Sequence, residues 1–175
     1  LEADRDTCGA ILDGAQKLLA TDLSNDDQLD LVRVIELALH RGQFQSDERT
    51  ALREALSPRF PSQDSRLNRE LVRTLVLMQD PTLAPRLAQY LGTDTPIAER
   101  IQAAMLGRFL TVGWTSESRG ALLDFFAKAR ELEGGNSYRG YLTNGANDVL
   151  KLMPPEEQLA RIRQGASDPL AAVGV

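Results

Sequence analysis

Apolar side chains recur along this chain at steps of three and four, and that spacing excludes most alternatives to a helical fold. In SRLNRELVRTLVLMQD, Leu67, Leu71, Leu75 and Met78 fall on one helical face while Arg69 and Arg73 fall on another. A half-buried strand would instead alternate apolar and polar residues. The same period places helices at roughly 7–20, 26–41 and 47–56 upstream, and at roughly 81–91, 97–110, 116–132, 138–153 and 156–164 downstream.

Local signals mark where these helices begin and end. Asp80 is expected as an N-cap, with Pro81 at the first helical position and Gly92 just past the last apolar residue. Ser24 or Asn25 caps the second helix, and Asp26 and Asp27 sit favourably near its positive end. That assignment absorbs the acidic cluster Asp22, Asp26, Asp27 and Asp30, which lacks the central Gly and terminal Glu of a calcium loop. Thr115 caps the helix that follows Trp114, with Glu117 in its first turn. In LEGGNSYRGYLTNGANDVLKLMP, Gly134 is expected to end one helix in the left-handed conformation and Ser137 to cap the next. The glycines do not have the spacing of a phosphate-binding loop, so the segment reads as a connector. Gly140 and Gly145 lie inside the following helix, where each costs about 1 kcal/mol relative to Ala. Gly145 shares a face with Tyr138, Tyr141, Leu142, Val149 and Leu152, which predicts close approach of a neighbouring helix. The segment 57–65, SPRFPSQDS, is the longest interruption and is expected to be an irregular joint.

Composition agrees with the period. Apolar residues make up 42% of the chain but aromatics only 5%, and helix formers abound while runs of β-branched residues are absent. A net charge of −5 argues against a protein built to neutralise phosphates. The single cysteine, Cys8, excludes an internal disulfide and a multi-cysteine metal site, and the single histidine, His40, has no catalytic signature around it. No apolar run is long enough to span a membrane. The opening LEADRDTCGAILDG, without Met or a signal core, reads as an excerpt of a longer polypeptide.

The segments 65–96 and 97–134 are each one helical hairpin, of a length found in helical repeats. A hairpin of this kind exposes apolar surface until another stacks on it. The expectation is an all-α chain, a short right-handed α-solenoid of stacked antiparallel helical hairpins. It is read as a single domain over 1–175, with 166–175 as a linker to a following domain.

At LVLMQDPTLAPRLAQYLG the chain resembles a HEAT-type repeat. The first helix ends in Asp80-Pro81, and Arg86 follows at a spacing similar to that of the Asp and Arg bridging neighbouring repeats in that family. The succession LNRELVRTLVLMQDP, GWTSESRGALLDFFAKAR and GGNSYRGYL, from Leu67 to Met153, resembles the repeat region of large exported bacterial multidomain proteins. In those proteins such repeats sit between a propeller, dehydrogenase-like part and a c-type cytochrome part. The resemblance implies an exported, periplasmic or cell-surface, location. It implies no redox chemistry for these residues, which lack the Cys-x-x-Cys-His of haem attachment.

No catalytic, cofactor-binding or metal-ligating constellation is read here. The expected function is a non-catalytic scaffold or spacer, monomeric, gripping a protein partner or positioning adjacent domains. Tyr138, Arg139, Tyr141 and Asn144 are candidates for a partner-binding surface, with Trp114 as an interface anchor or, alternatively, a plug between repeats. Arg69, Arg73, Arg86, Arg100, Arg108, Arg119 and Arg139 recur across the hairpins, so an Arg-lined groove for nucleic acid or phosphates is the alternative. The bland account of those arginines is salt bridging with the 25 acidic residues. A carboxylate enzyme using Asp124 or Glu131 with Arg130 ranks last, because no motif surrounds them.

Overall fold

The computed structural model describes residues 4–135 and 137–164. Among them lie nine α-helices and no strand: α1 (Arg5–Leu19), α2 (Asn25–Arg41), α3 (Thr50–Leu56), α4 (Ser65–Leu77), α5 (Leu83–Leu91), α6 (Ile97–Gly107), α7 (Ser116–Ala129), α8 (Tyr138–Lys151) and α9 (Pro155–Gln164). The all-α expectation holds, while the linker expected at 166–175 lies outside the described residues. The chain divides into two compact units, Leu1–Leu83 and Ala84–Val175.

In the first unit, α1 buries Cys8, Leu12, Ala15 and Leu19 and packs on α2, which buries Leu29, Val32, Ile35 and Leu39. The two run antiparallel. Arg5, at the start of α1, donates to the carbonyls of Gly42 (3.1 Å) and Gln43 (3.2 Å), just past the end of α2. Ser24 caps α2 as expected, accepting from the Asp27 N–H at 3.2 Å. The joint is irregular too: a 3-10 turn at Ser57–Arg59, a cis Phe60–Pro61 bond, and the Phe60 ring buried. Arg59 ties it back by donating to the Leu19 carbonyl at 2.6 Å, satisfying an end of α1 that helical bonding leaves open.

Side-chain pairs between α2 and α4 climb both helices together. Asp26 meets Arg66 (2.9 Å), Glu70 meets Arg33 (3.3 Å), and Glu36 meets Arg73 (3.6 Å). Residue numbers rise in step, so α2 and α4 run parallel. The second unit repeats this arrangement. Gly145 of α8 lies against Met105 of α6, and Asp148 pairs with Arg108 at 3.4 Å. Glu157 of α9 pairs with Arg119 of α7 at 2.8 Å, and Arg161 with Asp124 at 2.5 Å. Thus α6 and α8 are parallel, and so are α7 and α9.

Three local expectations are corrected. α5 begins at Leu83, not at Pro81. Asp80 is buried and accepts instead from the Thr82 N–H (2.9 Å) and the Ser57 hydroxyl (2.5 Å), so its carboxylate holds the turn before the helix and ties it to the joint. Gly134 does not adopt a left-handed φ; among the described glycines Gly113 does, at 74°. A Cβ at Gly134 would run into the Tyr138 ring, so close approach of an aromatic requires the glycine. Ser137 makes no side-chain cap bond, because its own φ and ψ (−85°, −14°) are already helical rather than extended.

Candidate functional site

The five residues singled out for partner binding separate into two groups. Tyr138 and Trp114 each bond a backbone carbonyl of their own chain. The Tyr138 phenol reaches back nine positions and donates to the Ala129 carbonyl at 2.8 Å, closing the end of α7, while its ring covers Gly134. Burial raises the phenol's pKa, which keeps it a neutral donor. The half-buried Trp114 donates its indole N–H to the Leu110 carbonyl at 2.7 Å, so its polar edge is spent on its own turn. Thr115 next to it caps α7 with Glu117 in the first turn, as expected, and Ser118 completes a reciprocal capping box.

Arg139, Tyr141 and Asn144 are exposed, Tyr141 to 63%. They do not share one face. Residues two apart on an α-helix point about 200° away from each other, so Arg139 leaves the helix on the side opposite Tyr141. Tyr141 and Asn144, three apart, are neighbours, and Asp148 continues their stripe. A Cβ at Gly145, one turn beyond Tyr141, would meet Met105 and Phe126 at 2.9–3.0 Å, which turns this edge of α8 toward α6.

There the stripe gains residues that the sequence reading did not connect to it. Asp148 pairs with Arg108, and the Arg108 guanidinium lies 4.6 Å over the ring of Phe109, which is 55% exposed. Tyr141, Asn144 and Asp148 thus make a ladder along α8, which the Asp148–Arg108 pair joins to Phe109 just past the end of α6. Exposed aromatics beside an arginine are the residue types that dominate binding energy at protein interfaces. The sequence reading ran this helix to 110 and so kept Phe109 of GRFL inside it, whereas the helix ends at Gly107 and leaves the ring exposed.

Of the recurrent arginines, Arg73, Arg100, Arg108 and Arg119 are engaged with their own surroundings, while Arg69 and Arg139 are exposed. Arg73 bonds Glu70 at 2.8 Å; Glu70, only 7% exposed, also accepts from Arg33. Burial raises the pKa of Glu36 beside them, against the lowering pull of Arg73. Arg100 donates to the Leu91 carbonyl at 3.1 Å, and Arg119 holds Glu157 through two parallel bonds at 2.8 and 2.9 Å. In the acidic cluster, Asp27 accepts from the Ser24 hydroxyl, Asp26 from Arg66 and Asp30 from Arg33. Asp124, one of the two carboxylates of the catalytic alternative, is the acceptor for Arg161.

The first unit also carries an open cleft of about 450 Å³, lined by Arg5, Asp6, Gly9, Asp13, Phe44 and Arg49 among others. The guanidinium carbons of Arg5 and Arg49 lie 4.6 and 4.7 Å from the Phe44 ring centroid. Glu48 pairs with Arg5 and Asp13 pairs with Arg49. Glu48 accepts from the Gln45 N–H and from Arg5, which hold its carboxyl below the usual glutamate range. The cleft's charges answer one another and tie α1 to the start of α3.

Comparison with protein-family models, curated proteins and solved structures finds no match.

Proposed function

We propose that this chain is a non-catalytic interaction scaffold, a segment of HEAT-like α-solenoid that grips a protein partner or positions adjacent domains. The single observation that carries the reading is the parallel register of alternate helices: α2 with α4 in the first unit, and α6 with α8 and α7 with α9 in the second. Stacked antiparallel hairpins produce this pattern, because equivalent helices of successive repeats point the same way. A four-helix bundle of up-and-down neighbours brings antiparallel helices side by side instead.

The partner surface on this reading is the ladder of Tyr141, Asn144, Asp148, Arg108 and Phe109. Tyr141 and Phe109 supply apolar area at low entropic cost, and the Asn144 amide can both donate to and accept from a partner backbone. The exported location stays with the resemblance that suggested it.

The test is a photo-crosslinking amino acid at position 141 of the whole chain, with position 51, on the exposed side of α3, as control. One discrete protein adduct from position 141, diminished by Phe109→Ala with unchanged circular dichroism, supports the reading. Equal adducts from both positions, or none, overturn it.

A further inference from the structure

We propose that α9 is a self-association surface through which a second copy of this chain docks across a two-fold axis. The helix is packed inside out. Its inward side is polar: Glu157 accepts from Arg119 and from Ser116 Oγ (2.7 Å), Arg161 reaches Asp124, and Gln158 donates to the carbonyls of Leu150 (3.1 Å) and Met153 (2.8 Å). Leu159 lies two residues from both Glu157 and Arg161, hence on the far side of the helix. It is 54% exposed, and Ile162, three positions on and next to it, is 43% exposed. The ion pairs set the orientation of α9, and that orientation presents its two large apolar side chains outward.

The charges beside this stripe select the occupant. Glu156 and Arg163 are both exposed and stand seven residues apart, on one flank of Leu159 and Ile162. When a second α9 approaches antiparallel, Leu159 of each copy meets Ile162 of the other. The same approach brings Glu156 of each copy to Arg163 of the other. A parallel two-fold approach would carry these flanks to opposite sides of the apolar seam, leaving Glu156 and Arg163 without each other. A self-complementary patch of this kind is what an isologous dimer needs. Two apolar side chains per copy fall short of the ~1,200–2,000 Å² of a stable interface, so the dimer is weak and concentration-dependent. This inference rests on α9 alone and not on the solenoid reading or the Tyr141 ladder.

Sedimentation velocity of the whole chain, from about 10 µM to about 1 mM, tests it. The weight-average mass should rise toward the dimer and fall again on dilution, and Leu159→Asp should remain monomeric throughout. Glu156→Arg and Arg163→Glu should each weaken association about tenfold, and the double reversal should restore it. Far-UV circular dichroism checks that each variant is folded. A monomer mass at every concentration, an undiminished dimer in Leu159→Asp, or a double reversal no tighter than the single ones overturns the proposal.

Discussion

Gly145 shows how one missing side chain governs a helix crossing. A Cβ there would meet Phe126 at 2.9 Å and the Met105 sulfur at 3.0 Å, so α8 can approach α6 and α7 only without it. Gly145→Leu should therefore lower stability by about 1–3 kcal/mol through overpacking, although leucine is the better helix former. Chemical denaturation measures this; unchanged stability would show that the crossing yields. Gly14 is the opposite case, exposed in the middle of α1 with nothing within 4 Å of an added Cβ. Gly14→Ala should raise stability by about 0.5–1 kcal/mol, with a higher denaturation midpoint and an unchanged slope. The pair separates the two costs of a helical glycine, since the sequence shows the same residue in both settings.

For an element, the informative case is α9, whose attachment is ionic where other helices bury leucines. Arg119, then Ser116, hold the Glu157 carboxyl below the usual glutamate range. A depressed carboxylate pKa contributes stability that is present above the usual glutamate value and is lost as pH falls through the folded-state value. Acidification below the usual glutamate range should thus release α9 while the buried cores of α7 and α8 persist. Amide exchange resolved by residue should show protection of α9 collapsing first, and Glu157→Gln should show the same collapse at neutral pH. Glu36 works the other way. Its pKa is raised, chiefly by burial, so its ionisation weakens folding as pH rises from the usual glutamate value through the raised one. The ends of the elements show the limit of local reading. Ser24 and Thr115 cap as their residue types suggest, whereas at Ser137 the chain is already helical and the closure comes from Tyr138.

Across the whole molecule, a net charge of −5 combines with arginines drawn into local pairs, Arg73 with Glu70, Arg108 with Asp148 and Arg119 with Glu157. Guanidiniums already neutralised release few counterions from a nucleic acid, so a salt-dependent affinity has little to draw on. The chain should give no mobility shift with generic duplex DNA at low salt. A shift that weakens steeply with added salt would restore the arginine-groove reading.

By itself the sequence determined what depends on neighbours along the chain. The period of apolar residues specified helices within a few positions, Gly145 was legible as a site of close packing, and the absence of strands among the described residues followed from the same spacing. It could not say which helix lies beside which, because pairs such as Arg33–Glu70 and Arg119–Glu157 join residues almost forty positions apart, and any helical surface offers similar charges. The tertiary structure decided that the Tyr138 phenol closes α7 and that Asp148, on the same stripe of α8 as Tyr141, pairs with Arg108 beside Phe109. It also decided that α9 turns its leucine and isoleucine outward. An amphipathic pattern tells which side of a helix is apolar, but which side is buried depends on what the neighbouring helix offers, and for α9 that is Arg119 and Asp124 of α7.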